Sequence, residues 1–192
     1  MTKIQIGTQA VIGTAPVLLI GANVDDKPNF MTAGACGVAN REPPMISVSM
    51  AHGRHTLKGV RQNMTFSVNV PSVDLVKEAD YCGIISGAKA NKVAACQFNI
   101  FYGKLNNAPL IEQCPVNMEC SVVHILSLGS GSLVVGRIEA THILENCLTD
   151  GEPDSTKIKP FISAPEPERK YLALGEVIAT SHIIGRELQV RE

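Results

Sequence analysis

Hydrophobic residues recur along the chain in short stretches that are bounded by Gly, Pro, Asn or Asp. Alternation with polar residues is typical of a half-buried β-strand, and a short unbroken apolar run is typical of a strand buried on both faces. These patterns predict strands over residues 16–24, 45–51, 65–70, 116–128 and 132–144. The last two are the longest, and the sequence GSGS between them favours a hairpin turn because no helix follows it.

Helical spacing of apolar residues occurs in two segments. Residues 55–63 predict a short helix, although Gly59 weakens it. Residues 72–83 place Ser72 at the N-cap and Gly83 at the end of a second helix. Many strands with few helices favour a mainly β domain, a barrel with helical insertions.

The last part of the chain has a weaker pattern. Residues 148–170 are rich in Pro and charged side chains, and we predict that they form a surface excursion rather than a domain boundary. Residues 171–183 fit a helix and a strand equally well. A chain of 192 residues is within the range of one domain, so we expect a single domain over residues 1–192.

Composition narrows the class of protein. The chain is 45% hydrophobic and 18% charged with a net charge of -1, and its Lys and Arg residues are scattered. A role driven by positive charge, on nucleic acid or on a membrane surface, is therefore not expected. With 4% aromatic residues and no Trp, stacking platforms for single-stranded nucleic acid are not expected either. No apolar run reaches the length of a membrane span and the N-terminus lacks signal organisation, so we expect a cytoplasmic protein.

Cysteine and histidine patterns do not indicate a metal site. We expect the cysteines to be reduced and mostly buried, since no C-x-x-C pair occurs and the chain does not resemble a small secreted domain. Gly53 separates His52 from His55 and no carboxylate pair accompanies them, so no metal ligands are predicted. His124 and His142 are expected to be structural, and no residue can be assigned as catalytic. The six cysteines are Cys36, Cys82, Cys96, Cys114, Cys120 and Cys147.

The sequence PNFMTAGACG, residues 28–37, is an unusual run of small residues between predicted strands. Small side chains allow two elements of a barrel to pack tightly. They also allow a flat ligand to lie against the backbone. Both interpretations are open from these residues alone, and Cys36 is expected to be a packed thiol in either case.

Two basic, hydroxyl-bearing segments suggest an anion. Arg54, His55 and Thr56 lie where a predicted helix begins, and helix N-termini attract anions. Taken alone, this segment is also explained by a Thr cap with two solvated basic neighbours. The sequence ISGAKANKV, residues 85–93, repeats the theme with Ser86, Gly87, Lys89 and Lys92 among small residues. Two such segments in a nearly neutral protein indicate a phosphate ligand.

The order of short motifs is more specific than any one of them. N-x-M-T-A-G is followed by P-P-x-x-S-V-S, R-H-T, V-N-V-P-S-x-D-L-V, D-Y-C-G-x-x-S-G and a Lys after Asn. This order resembles the flavin reductase-like FMN-binding split-barrel family, and within it the flavoredoxins. The resemblance continues through residues 108–123, 135–143 and 171–179. One departure is Asn91, where the family often has Asp before the lysine.

The resemblance implies a six-stranded antiparallel Greek-key split barrel with short helices that binds FMN. It implies that the isoalloxazine ring lies along residues 29–34, whose main-chain N–H groups can donate to the ring. It also implies a homodimer with each flavin near the subunit boundary, which would cover the edges of an open barrel. Arg54, His55, Thr56, Ser86 and Lys92 would hold the phosphate, Ser47 and Ser49 would line the ribityl chain or the core, and Tyr171 would lie near the flavin. The cofactor-binding residues implied are Asn29, Phe30, Met31, Thr32, Ala33, Ser47, Ser49, Arg54, His55, Thr56, Ser86, Gly87, Lys92 and Tyr171.

Three functions are consistent with this resemblance. The first is an NADH- or NADPH-dependent oxidoreductase that passes electrons through FMN to free flavin, ferric iron or a protein. The second is a non-enzymatic FMN electron carrier that is reduced by a redox protein partner. The third, a barrel that has lost its flavin, is disfavoured by the intact residues 29–34 and 54–56. Since no G-x-G-x-x-G occurs, a nicotinamide would have to stack on the flavin rather than occupy a Rossmann site.

Overall fold

The computed structural model describes residues 1–164 and 167–188. Two residues of the predicted excursion over 148–170, residues 165 and 166, lie outside the described part, as do the last four residues of the predicted domain over 1–192. Of the helices in the described residues, none combines the length and the apolar character that crossing a membrane requires.

The described residues form fourteen strands, four α-helices and three short 3-10 helices. The strands are β1 (Ala15–Pro16), β2 (Leu18–Val24), β3 (Lys27–Ala33), β4 (Cys36–Asn40), β5 (Met45–Ala51), β6 (Thr65–Val70), β7 (Ile100–Phe101), β8 (Leu110–Ile111), β9 (Val116–Leu128), β10 (Gly131–Ile143), β11 (Leu148–Thr149), β12 (Glu152–Pro153), β13 (Phe161–Ala164) and β14 (Lys170–Ala173). The helices are α1 (His55–Asn63), α2 (Val76–Ile84), α3 (Lys92–Ala95) and α4 (Ser155–Ile158), and the 3-10 helices are Val73–Leu75, Glu145–Cys147 and Ile184–Leu188.

Seven antiparallel strands form the main sheet, in the spatial order β3-β2-β6-β9-β10-β5-β4. Its two edge strands, β3 and β4, are joined by only Gly34 and Ala35. Because so short a link cannot cross an open seven-stranded sheet, the sheet must roll until its edges meet. The main-chain N–H of Ser49 on β5 donates to the carbonyl of Ala35 at 2.8 Å across this junction. Part of the small-residue run therefore forms the corner of a rolled sheet.

The sheet has one strand more than the six expected. Two strands of the sheet, β3 and β4, are not among the five predicted from the hydrophobic pattern. Residues Cys36–Asn40 of β4 lack a hydrophobic alternation and are mostly exposed. Main-chain pairing with β5, rather than burial of side chains, makes these residues a strand. The five predicted strands are present, and β5, β6 and β9 have the predicted bounds.

Alternate residues of β2 and β3 face two different cores. Ile20 and Met31 point into the rolled sheet, whereas Leu19 and Phe30 point to its outer side. On that outer side α2 and the segment before β8 cover the sheet, and the ring of Phe30 packs edge-on against Phe98 with centroids 5.9 Å apart. Both strands are therefore buried on two faces, which explains the unbroken apolar run of β2.

The two predicted helices exist, with one changed boundary. Helix α1 has the predicted bounds. Ser72 caps the short 3-10 helix that leads into α2, since its hydroxyl accepts from the main-chain N–H of Asp74 at 3.3 Å. Gly83 was expected to end the second helix but lies within α2, which continues to Ile84.

The segment predicted as a surface excursion is partly structural. Phe161 on β13 is 2% exposed and belongs to the outer core, and β13 pairs with both β1 and β14. The prediction was wrong here because Pro and charged residues dominate the composition while one buried aromatic residue anchors the segment. The ambiguous segment 171–183 begins as β14 and has no strand or α-helix after Ala173.

Gly59 lies in the middle of α1, where glycine normally weakens a helix. A Cβ at this position would overlap the carbonyl oxygen of Asn23 and lie 2.9 Å from Cγ2 of Val24. The absence of a side chain allows α1 to rest directly on the main chain of β2. This close approach sets the position of α1 and therefore of its N-terminus.

Replacing Gly59 by Ala is expected to lower the free energy of unfolding by about 1–3 kcal/mol. The overlap with the Asn23 main chain outweighs the roughly 1 kcal/mol that Ala gains in helix propensity. Urea-induced unfolding followed by circular dichroism measures the change. The control is Gly37→Ala, whose new Cβ would meet nothing within 4 Å, and which should change stability by less than about 0.5 kcal/mol. A Gly59→Ala protein at least as stable as the parent would contradict the close approach of α1 to β2.

Candidate functional site

A small pocket of about 100 Å³ lies where the start of α1, the end of α2 and β3 meet. Seven of the predicted site residues line it, and its lining contains two basic side chains, Arg54 and Lys92, without any acidic residue. A concave site with this charge balance attracts an anion. The pocket is lined by Met31, Gly53, Arg54, His55, Thr56, Ile84, Ile85, Ser86, Gly87 and Lys92.

Arg54 precedes the first residue of α1 and has an extended backbone conformation. Its guanidinium Nη1 donates to the carbonyl of Gly83 near the end of α2, at 2.7 Å. One donor of a guanidinium with five N–H groups is used in this way, so the others stay free to bind a ligand. His55 and Thr56 in the first turn of α1 line the same pocket, so the positive end of the helix dipole lies beside it.

Asn29, Thr56 and Gly87 join three elements of the pocket. The side-chain amide of Asn29 donates to the Thr56 hydroxyl at 2.7 Å, and both residues are buried. A Cβ at position 87 would overlap the side-chain oxygen of Asn29. Gly87 is therefore required for the 86–91 loop to approach β3, and Asn29 holds α1 in place through Thr56.

Lys92 is buried, with 3% of its surface exposed. Its ammonium donates to the carbonyls of Phe30 on β3 and Cys82 on α2, both at 2.8 Å. Burial lowers the pKa of Lys92, and the nearby Arg54 lowers it further. Two of its three N–H donors bind main chain, so one is left for a ligand in the pocket.

The free edge of β3 supplies main-chain donors. Main-chain groups along an antiparallel strand point alternately to the paired strand and away from it, and among the strands that the structure describes β3 pairs only with β2. Since the carbonyl of Phe30 faces Lys92, the N–H of Thr32, two residues on, faces the same open edge. The Thr32 hydroxyl donates to the carbonyl of Ala79 on α2, so its proton is not available to a ligand.

Seven predicted site residues do not line this pocket, and four of them, Ala33, Ser47, Ser49 and Tyr171, also make no described hydrogen bond to its lining residues. Ala33 is buried inside the rolled sheet, and Ser47 and Ser49 lie on the outer face of β5. The hydroxyl of Tyr171 donates to Asp80 at 2.8 Å, and burial together with Asp80 raises the pKa of Tyr171 to about 12. Phe30, by contrast, contributes only its carbonyl to the site because its ring is in the outer core.

A second, larger groove of about 540 Å³ adjoins the pocket and shares three lining residues with it, His55, Gly87 and Lys92. It runs along the N-terminal half of β3 and adds Lys89, a basic residue of the predicted 85–93 segment, and Lys27, which the sequence pattern did not indicate. Isolated exposed lysines carry no signal in a sequence unless the fold that brings them together is known. Its other lining residues are Val24, Asp25, Pro28, Asn29, Ala88, Ala90, Asn91 and Val93.

Cysteine chemistry is not part of the pocket. Burial raises the pKa of Cys36 to about 11, so the thiol is protonated and a poor nucleophile at neutral pH. All six cysteines are free, and four of them are buried. Within residues 1–164 and 167–188 no group of three or more His, Cys, Asp or Glu side chains is arranged to hold a metal ion.

Comparison with known proteins identifies the family. The flavin reductase-like domain matches residues 13–153. The chain belongs to the flavin reductase-like domain family. The structure is similar to a flavoredoxin from Methanosarcina acetivorans, with a TM-score of 0.94 and 36% identity over 98% of this chain and 100% of that one.

Two further relatives support the same family. A flavoredoxin of Desulfovibrio vulgaris (Miyazaki F) has a TM-score of 0.89 and 31% identity over 96% of this chain and 100% of its own. An uncharacterized protein of Archaeoglobus fulgidus is 34% identical over 130 residues, which are 67% of this chain and 72% of that protein. The family and the mainly β split-barrel fold predicted from the sequence are therefore confirmed. The individual site residues stay predictions, of which the structure brings eight together: Asn29, Met31, Arg54, His55, Thr56, Ser86, Gly87 and Lys92.

Proposed function

We propose that this flavin reductase-like protein is an FMN-dependent oxidoreductase of the flavoredoxin type. It takes electrons from NADH or NADPH and passes them through FMN to free flavin, ferric iron or a protein acceptor. The observation that carries the proposal is the cationic pocket at the start of α1, directly beside the open edge of β3. The cofactor expected from the sequence, FMN, is borne out by the family membership.

The small pocket fits the phosphate of FMN. Arg54 and Lys92 supply positive charge, Thr56 and Ser86 supply hydroxyl groups, and α1 supplies its N-terminal N–H groups. The lining contains no carboxylate that would repel a phosphate dianion. These residues come from three separate elements, so the folded protein presents the site in advance of binding.

The open edge of β3 and the corner after it are the proposed support for the flavin ring. The Thr32 N–H faces this edge, and Gly34 and Ala35 leave no large side chain over the main chain. When bound, FMN supplies the capacity to accept a hydride and to release its electrons singly or as a pair. Main-chain N–H donors here would stabilise negative charge that develops on the ring. Ala35 is exposed, so a nicotinamide can approach from solvent.

A second candidate function is that of a non-enzymatic FMN electron carrier. The similarity to two flavoredoxins over at least 96% of this chain favours a redox role of this kind, in which a protein partner supplies the electrons. The absence of a Rossmann motif from the sequence is compatible with both candidates, since a nicotinamide could stack on the flavin without one.

Anaerobic reduction separates the two candidates. We expect the purified protein to be yellow and its flavin absorbance to be bleached by NADH or NADPH under anaerobic conditions, because an open ring face admits the nicotinamide. The measurement is the loss of flavin absorbance after mixing, with dithionite as the control that proves the flavin reducible. A flavin that dithionite bleaches and neither nicotinamide does would favour the electron carrier.

Arg54→Ala is expected to weaken the binding of FMN by about 1.5–3 kcal/mol and the binding of riboflavin much less, since a charged hydrogen bond to the phosphate is lost. Lys92→Ala is also expected to weaken the binding of FMN. In addition, it leaves the carbonyls of Phe30 and Cys82 without their hydrogen-bond donor. Its free energy of unfolding should therefore fall by about 1–3 kcal/mol. Fluorescence titration with the two flavins and urea unfolding measure these effects.

The control for both variants is Lys77→Ala, an exposed position on α2 that lines neither the pocket nor the groove. It should leave both affinities unchanged. An equal loss of FMN and riboflavin binding in Arg54→Ala would contradict the phosphate assignment.

A homodimer is part of the proposal because apolar surface is left open in a single chain. Leu126 and Leu128 on β9 are 51% and 58% exposed, and Leu126 is in register with Leu133 on β10. Leu133 is also opposite Ser49 on β5. Leu126, Leu133 and Ser49 therefore lie on the same outer face of the sheet formed by β9, β10 and β5. Val177 and Ile178 in the C-terminal segment are 88% and 99% exposed and so do not close their own barrel. A partner on this face would place Ser47 and Ser49 at the subunit boundary.

Light scattering at micromolar concentration is expected to give the mass of two chains. Leu126→Glu puts a charge into the proposed contact and should shift the protein toward the mass of one chain while weakening FMN binding. Lys77→Glu, away from this face, serves as the control for an added negative charge. A parent protein with the mass of one chain and with FMN fully bound would contradict the proposed role of the dimer in building the site.

A further inference from the structure

Three of the six cysteines lie together in the outer core. Cys82 and Cys114 are 0% and 1% exposed there, and the half-buried Cys96 packs against the margin of the same core. The thiol of Cys82, on α2, donates a side-chain hydrogen bond to the sulfur of Cys96, the residue that follows α3. Contact between two sulfurs on neighbouring elements is the first condition for a disulfide.

Lys92 joins the same two elements beside the thiols. Its ammonium donates to the carbonyl of Cys82 at 2.8 Å, and the main-chain N–H of Cys96 donates to the carbonyl of Lys92 at 2.9 Å. A bond between the two sulfurs would close a ring over residues 82–96, which contains the 86–91 loop and Lys92 on the wall of the pocket. A covalent link would then reinforce the hydrogen bonds that hold this loop.

The burial of the thiols determines which one reacts first. Burial raises the pKa of Cys82 to about 12, so its thiol stays protonated at neutral pH. Burial and the negative charge of Glu78 raise the pKa of Cys96 as well. The hydrogen bond from Cys82 and the positive charge of Lys92 lower it. Because a small oxidant can reach the half-buried Cys96 but neither Cys82 nor Cys114, Cys96 is the attacking thiol and Cys82 the resolving one.

We propose that Cys82 and Cys96 form a reversible disulfide that closes residues 82–96 around the phosphate pocket when the protein meets a low-molecular-weight disulfide, R–S–S–R. The Cys96 thiolate attacks one sulfur of the oxidant, a Cys96–S–S–R bond forms, and RS⁻ leaves and takes up the proton that Cys96 released. The Cys82 sulfur then attacks Sγ of Cys96, the disulfide forms, and a second R–SH leaves with the proton of Cys82. The protein loses two electrons and two protons, and the oxidant is reduced to two thiols. Excess thiol reverses both steps.

The consequence for FMN rests on the proposed function, whereas the disulfide itself does not. With α2 and α3 cross-linked, the 86–91 loop has fewer conformations to lose when a phosphate binds. The oxidised protein should therefore bind FMN about three- to tenfold more tightly than the reduced protein. Riboflavin has no phosphate and should gain much less. The disulfide would thus retain the cofactor while the surroundings are oxidising.

The first test treats the flavin-free protein with oxidised glutathione and counts free thiols after denaturation. The parent protein should lose two of its six free thiols and regain them with dithiothreitol, and peptide mapping by mass spectrometry should find Cys82 joined to Cys96. Cys82→Ala should stop at the first step, with one glutathione retained on Cys96, and Cys96→Ala should lose no thiol. The matched control is Cys36→Ala, which removes a half-buried cysteine outside the cluster and should leave the cross-link unchanged.

Six free thiols in the treated parent protein would overturn the proposal, and so would a glutathione that stays on Cys96 of the parent or a cross-link to Cys114. Fluorescence titration of the reduced and the cross-linked protein with FMN and riboflavin is the second test. Equal or weaker binding of FMN by the cross-linked form would contradict the closure of the pocket. A reduced protein that binds no FMN would contradict the proposed function, but the thiol count would be unaffected, so the two failures are distinguishable.

Discussion

The buried ammonium of Lys92 is the interaction on which the site depends. It joins the free edge of β3 to the last turn of α2 by donating to the carbonyls of Phe30 and Cys82, while its own main chain begins α3. Transfer of an unpaired ammonium out of water costs several kcal/mol, so Lys92 can stay buried only if carbonyl oxygens or an anion surround it. An anion in the pocket would relieve part of this cost, because it restores a counter-charge. The lysine therefore builds the pocket and favours its occupation by an anion at the same time.

Close approach of main chains brings the remaining parts of the site together. Gly59 lets α1 rest on β2, and Gly87 lets the loop before α3 reach Asn29. Each glycine weakens the local structure by its conformational freedom, and each is retained because a Cβ would overlap a neighbouring residue. The N-terminus of α1 and the start of the 86–91 loop consequently line one small cavity.

Much of the fold could be predicted because its strands follow simple hydrophobic patterns. β5, β6, β9 and α1 have the bounds that periodicity alone indicates. β4 could not be predicted, since its exposed residues form a strand only through main-chain pairing with β5. Gly83 lies inside α2 rather than after it, because the carbonyls of Cys82 and Gly83 are bound by Lys92 and Arg54 instead of by a glycine cap. The grouping of Arg54, Thr56 and Ser86 in one pocket could be predicted because each residue is part of a short motif. The contribution of Lys27 to the groove could not, because it depends on the packing of loops that are distant in sequence.

The strand β3 has three structural roles. They are separated because successive side chains point to opposite faces of the sheet while the main chain points to its edge. Met31 and Ala33 fill the rolled sheet, Phe30 fills the outer core, and the main chain of Phe30 and Thr32 faces the open edge. A change of register by one residue would exchange the two cores and turn the edge donors toward β2. The strand is therefore fixed in register by burial on both faces, and its main-chain donors are presented without the conformational cost of ordering a loop. The proposed support for the flavin ring, which consists largely of main chain, would therefore be more rigid on this edge strand than on an exposed turn.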